Sequence, residues 1–243
     1  MTPFLAEIIG TMLLVAFGDG VVANVVLTRS KGNNSGWIVI ATGWACGVVI
    51  AVYAVSALSG AHLNPAVTIA LAAIGKFEWS RVPMYVLAQT IGASLGGVLV
   101  WLTYLPHWAL TEDPGMKLAA FCTGPAVRKP SANLLSEAIA TGALTFGLLA
   151  VLTPKNLVPN SGFDTALAPL LVGVVVFAIG LSLGGSTGYA INPARDLGPR
   201  LMHALLPIPG KGSSDWGYAW VPVLGPILGG VAGALLYRML FRV

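Results

Sequence analysis

The chain has 243 residues, 56% of them hydrophobic and only 9% charged, against roughly 25% charged in an average soluble domain. Thirteen basic and nine acidic side chains are too few to cover a soluble fold of this size, and two cysteines are too few to staple one. Disorder, a disulfide-bonded secreted scaffold and an ordinary cytosolic enzyme are therefore excluded. The mean hydropathy of +0.82 makes lipid the solvent for most of the surface. The net charge of +4 is carried by basic residues that stand mostly singly, so no nucleic-acid-binding stripe forms.

Charge-free stretches mark the spans. No Asp, Glu, Lys or Arg occurs over residues 32–75, 82–111, 138–154, 165–194 or 216–237, and a spanning helix needs about 20 mostly apolar residues. Met1-Thr2-Pro3-Phe4 has no basic n-region and Glu7 falls where a signal peptide is apolar, so the first segment reads as a retained helix. It runs from Pro3 to Leu27, with Asp19 near its far end and expected in solvent. A polar turn with Arg29, Lys31, Asn33 and Asn34 leads to a second span over Gly36 to Leu58, rich in small residues that let membrane helices pack closely. The third span covers Val82 to Leu105, and Pro106 to Ala132 reads as a long loop. The fourth covers Asn133 to Thr153, followed by a polar connection over Pro154 to Asp164. The fifth covers Thr165 to Leu183 and the sixth Trp216 to Leu240. Of the two cysteines, Cys46 is expected packed and Cys122 loose in its loop, with no disulfide or metal framework.

Two apolar pieces, Ser59 to Ile74 and Asn192 to Leu205, are too short to span. Each contains Asn-Pro-Ala: Asn64-Pro65-Ala66 and Asn192-Pro193-Ala194. Asparagine is a strong N-cap and proline suits the first helical position, so each piece predicts a half-helix that starts abruptly at its Asn. Gly60-Ala61-His62-Leu63 and Gly188-Tyr189-Ala190-Ile191 before them predict extended backbone. Glu7 opens the first span and Glu137 the fourth; fifty-seven positions separate Glu7 from Asn64 and fifty-five separate Glu137 from Asn192. The chain thus reads as one all-α membrane domain of two repeats, residues 3–105 and 132–241. Three crossings per repeat invert the second copy, which relates the halves by a pseudo-two-fold axis in the membrane plane.

In that arrangement two half-helices re-enter from opposite faces and meet N-terminus to N-terminus at mid-depth. Each N-terminus carries roughly half a positive charge, a barrier to protons and cations. The Asn64 and Asn192 amides offer donors there, and irregular backbone at this depth survives only where it lines a polar cavity or is buried in protein. The two facing motifs predict a pore pinched by two asparagines. Carbonyls of Gly60, Ala61, His62, Leu63, Thr187, Gly188 and Ala190 are expected to line it, with the His62 ring structural. Glu7 and Glu137 are expected to accept backbone N–H bonds from these loops, and Thr68 and Gln89 to make interhelical polar contacts. The stretches over residues 92–97 and 225–230 read as helix packing, not phosphate loops, because no strand precedes them. His62, His107 and His203 lie far apart without metal-ligand spacing, and no nucleophile–base pair suggests an enzyme.

Ser59–Thr68 and Asn192–Asp196, with the repeat and both glutamates, resemble the paired signature of the aquaporin, or major intrinsic protein, family over essentially the whole chain. The resemblance implies a filter of Trp44, Gly180, Tyr189 and Arg195. Trp44 matches glycerol facilitators, and Gly180 stands where water-selective members carry histidine. Tyr189 stands where the bacterial glycerol facilitator has phenylalanine. Asp196 is characteristic of glycerol-conducting members. The resemblance therefore implies the aquaglyceroporin branch: a passive channel for glycerol, water and other small neutral solutes. It also implies a homotetramer in the cell membrane with cytosolic termini and no cofactor. Two alternatives stand beside it, a mainly water-selective channel narrowed by Tyr189 and an ion-coupled secondary transporter. Charge does not set the orientation. The inside connections would hold Lys76, Arg81, Lys155, Arg238 and Arg242. The outside ones would hold Arg29, Lys31, Lys117, Arg128, Lys129, Arg200 and Lys211.

Overall fold

A computed structural model describes residues 1–153 and 163–241, and the side chains of 163–165 are not considered. Among the described residues the regular structure is helical. The helices are α1 (Pro3–Val26), α2 (Trp37–Ser59), α3 (Pro65–Ala73), α4 (Val82–Thr103), α5 (Leu105–Leu110), α6 (Pro114–Ala119), α7 (Pro130–Leu152), α8 (Phe163–Leu183), α9 (Pro193–Leu205) and α10 (Val221–Phe241). Six of them (α1, α2, α4, α7, α8 and α10) are long and apolar enough to cross a bilayer, and α3 and α9 are the two short helices that start at Asn64 and Asn192. Large apolar side chains such as Leu87, Ile139, Val174 and Leu228 point outward, which is stable only where the solvent is hydrocarbon.

The packing repeats across the two halves. Helix α1 packs on α4 and α2, and α7 packs on α10 and α8. Each short helix packs on the last span of the other half, α3 on α10 and α9 on α4, while α2 meets α8 and α3 meets α9 across the centre. Small residues make the closest approaches possible. A Cβ on Gly92 would lie 2.3 Å from the Ile8 carbonyl oxygen, and one on Gly229 1.9 Å from that of Ala138. Gly229→Ala is thus expected to force α7 and α10 apart and to cost about 1–3 kcal/mol. Its thermal midpoint in detergent should fall by several degrees; an unchanged midpoint would show that the contact can relax freely.

Four expectations change. The Pro106 to Ala132 stretch is not one long loop: it carries the helical turns α5 and α6. Asp113 starts α6 by accepting from Gly115 N at 2.7 Å, and Pro130 starts α7 three residues earlier than expected. The last span begins at Val221, since residues 216–220 form a turn. The cysteines exchange places: Cys122 is buried where the chain folds back after α6, and Cys46 is exposed on the outer side of α2. An apolar run in a membrane protein has a lipid face, so hydropathy alone does not bury a residue. Asp19 is fully buried rather than solvated. The expected polar connection over Pro154 to Asp164 lies almost wholly outside the described residues.

Candidate functional site

The site begins with two buried carboxylates. Glu7 accepts from His62 N at 3.0 Å, Leu63 N at 2.8 Å, Ser59 Oγ at 2.6 Å and Gln89 Nε2 at 2.8 Å. Glu137 does the same in the other half, accepting from Ala190 N and Ile191 N at 2.9 Å each. Gln89 also donates to Thr68 Oγ1 at 3.0 Å. These bonds hold unusual backbone. Gly60, Ala61 and Leu63 have φ of 82°, 49° and 53°; Gly188, Tyr189 and Ile191 have 81°, 37° and 44°. Left-handed non-glycine residues cost about 1–3 kcal/mol each and persist only where surroundings over-determine them. Drawing the N–H groups onto the carboxylates leaves carbonyls of both stretches for the cavity side.

The asparagines then lock the two half-helices together. Asn64 Oδ1 caps α3 at Ala66 N (2.9 Å), and Asn192 Oδ1 caps α9 at Ala194 N (3.0 Å) and Arg195 N (3.2 Å). Each amide nitrogen donates across the junction, Asn64 Nδ2 to the Ile191 carbonyl and Asn192 Nδ2 to the Leu63 carbonyl, both at 2.8 Å. An amide nitrogen has two N–H groups, so each Asn keeps one for a guest. Pro65, Ala66, Pro193 and Ala194 form the first turns of these helices and are buried.

A cavity of about 410 Å³ runs past this lock. One side carries Gly60, Ala61, His62, Leu63, Ala190, Asn64 and Asn192; the other is apolar, with Val48, Leu144, Val172 and Val176. It reaches the ends of α2 and α7 and the start of α8 at one end, and Trp44, Tyr189 and Arg195 at the other. Gly180, Thr187 and Gly188 stand outside its lining. Leu63's carbonyl is engaged by Asn192, and Ile191, left out of the expected carbonyl set, plays the matching part in the other half. The His62 ring packs edge-on to Phe77 (4.7 Å) and its Nδ1 lies 3.1 Å from Thr68 Oγ1.

At the end lined by Trp44, Tyr189 and Arg195, Arg195 Cζ lies 4.1 Å from the Trp44 ring centroid, a cation–π contact. Arg195 Nη1 donates to Asp19 Oδ1 at 3.3 Å. Gly180 leaves a space that Tyr189 takes. A Cβ on Gly180 would lie 3.1 Å from Tyr189 Cζ, and one on Gly184 2.5 Å from its Cδ1. Tyr189 meets Trp37 edge-on at 5.7 Å, and Trp37 Nε1 donates to the Gly180 carbonyl at 2.8 Å. The Tyr189 hydroxyl is buried without a hydrogen-bond partner among the described residues. Asp196 turns away from the cavity. It accepts from Thr123 N (2.8 Å) and Oγ1 (2.7 Å) and from Arg200 Nε (2.8 Å), tying α9 to the chain around Thr123. Two contributors escaped sequence reasoning, Gly18 and Asp19. The signal for Asp19 was a second acid, besides Glu7, within an otherwise apolar span. Nothing in the sequence marked Gly18, where a Cβ would come within 2.2 Å of the Trp44 ring.

Comparison with known proteins agrees with this geometry. Residues 1–237 match the family model described as major intrinsic protein. A probable glycerol uptake facilitator protein of Thermotoga maritima is 62% identical over 99% of this chain and 100% of its own length. A glycerol uptake facilitator protein of Bacillus subtilis is 57% identical over 100% of this chain and 86% of its own. The X-ray structure of the aquaglyceroporin from Plasmodium falciparum superposes with a TM-score of 0.86 at 30% identity, covering 98% of this chain and 95% of that one. Paired half-helices capped by asparagine, cross-tied at the centre of six spans, thus occur in a chain whose relatives are facilitators, and the chain belongs to the major intrinsic protein family.

Proposed function

We propose that this protein is a passive channel for glycerol, water and other small uncharged solutes, closed to protons and ions. The observation that carries the reading is the cross-tied pair Asn64 and Asn192 inside a cavity with one polar and one apolar side. A polyol has the same division, hydroxyls on one edge and C–H groups on the other. It can exchange its water for carbonyls and amide N–H groups while its carbons lie against Val48, Val172 and Val176. Trp44, Gly180, Tyr189 and Arg195 act as the filter in this reading. Arg195 donates to solute hydroxyls, and the facing positive ends of α3 and α9 repel cations. The names of the relatives from Thermotoga maritima and Bacillus subtilis support glycerol as the solute. Family membership supports a channel rather than an enzyme, a single channel domain with repeats at residues 3–105 and 132–241, and a homotetramer in the cell membrane with cytosolic termini.

Light scattering from proteoliposomes tests it: glycerol should equilibrate at least about tenfold faster than in empty vesicles, and equal rates would overturn the reading. Saturable uptake that collapses with a proton gradient would favour a coupled transporter instead. The closeness of Tyr189 to Gly180 favours one second reading, a channel narrowed mainly to water. Tyr189→Ala reopens the space beside Gly180 and is expected to raise the flux of polyols larger than glycerol several-fold in a polyol series. Native vesicles that pass water but no glycerol, with glycerol flux appearing only in Tyr189→Ala, would establish the narrower reading.

A further inference from the structure

We propose that Asp19 is a positioning residue for the filter: it holds the Arg195 guanidinium over the Trp44 ring and cancels its charge. The constriction then sorts solutes by hydrogen bonding and not by net charge. This rests on the channel reading above.

The geometry is specific. Asp19 sits in α1, is fully buried, and accepts from Arg195 Nη1 at 3.3 Å. Its other oxygen, Oδ2, is buried with no hydrogen-bond partner among the described residues, so the carboxylate is not consumed by a structural network of the kind that surrounds Glu7. The preceding residue, Gly18, lets the Trp44 ring lie directly on the α1 backbone. Two consecutive residues of α1 therefore set both the ring and the cation stacked on it. Asp196, the acid next to Arg195 in sequence, cannot serve, because both its oxygens are engaged by Thr123 and Arg200. Arg195 is held from three directions: its backbone N–H by Asn192 Oδ1, its face by Trp44, its edge by Asp19. An unpaired buried charge is far more costly than a paired one, and rings of arginine or lysine make pores selective for anions. Pairing with Asp19 leaves the guanidinium its N–H donors and removes the field that would draw small anions.

Charge selectivity reads this out directly. Proteoliposomes of the native protein, Asp19→Asn, Arg195→Gln and the double variant are compared for glycerol and nitrate flux. Asp19→Asn should admit nitrate about tenfold faster than the native protein, and Asp19→Asn/Arg195→Gln should return nitrate to the native level, because no unpaired charge remains. A purely structural Asp19 would leave the double variant as leaky as the single one. That result, or native nitrate exclusion in Asp19→Asn, overturns the proposal. Should Asp19→Asn not fold, the proposal requires the double variant to restore the folded protein, and continued failure overturns it. Absence of glycerol flux in native vesicles would instead strike the channel reading, so the two failures are distinct.

Discussion

Glu7→Leu is expected to leave almost no folded protein, and Glu137→Leu nearly as little. The Glu7 carboxylate accepts two backbone N–H groups, a serine hydroxyl and a glutamine amide. Each buried donor left unsatisfied costs about 1–3 kcal/mol. The same change frees Ala61 and Leu63 from their left-handed conformations, so the loss of bonds and the release of strain both act against the native loop. Several such terms together rival the whole stability of a typical domain, about 5–15 kcal/mol. Glu137 holds the equivalent Ala190 and Ile191 N–H groups. Size-exclusion elution and thermal midpoint in detergent measure the effect. A Glu7→Leu protein that eluted and melted like the native one would mean that the loop before α3 holds its shape without the carboxylate.

Asn192→Leu should cut solute flux at least about tenfold even in the molecules that fold. The side chain caps α9 through Ala194 N and Arg195 N and donates to the Leu63 carbonyl in the opposite half. Loss of an Asn cap alone costs about 0.5–2 kcal/mol. Loss of the cross-tie leaves a carbonyl unmatched and removes the donor that a passing hydroxyl would use. Arg195 depends on the same cap, so the end of the cavity that it lines should shift with the centre. Light scattering with glycerol, normalised to the amount of reconstituted protein, measures the change; an unaltered rate would show that the centre of the pore does not need this donor.

Much of this architecture was legible because the signals were local. Six apolar runs separated by polar turns predict six spans, and the structure contains them. An Asn followed by Pro predicts a helix that starts at the Asn, and α3 and α9 start there. The similar spacing from Glu7 to Asn64 and from Glu137 to Asn192 pointed to each acid's loop, because a repeat places equivalent groups at nearly equivalent distances. Other features were not legible. The turns α5 and α6 hide in a stretch too short and too polar for a hydrophobic period, and only the proline and aspartate starts hint at them. The cysteines misled because lipid and core are equally apolar, so the side of α2 that carries Cys46 depends on which helices surround it. Asp19 misled because a charge near a span's end is ordinarily solvated.

The sequence alone settled the class of molecule: spans, half-helices, an inverted repeat and the residues able to line a polar path. Those follow from composition and from backbone preferences that act within a few residues. The tertiary structure decided which groups face each other. It set the Asn64 and Asn192 amides on opposing carbonyls, laid Tyr189 over Gly180, and brought Asp19 to an arginine 176 positions away. Such encounters are fixed by helix rotation and close approach at glycines, where a single Cβ is the difference between contact and collision. No pattern along the chain encodes that distance.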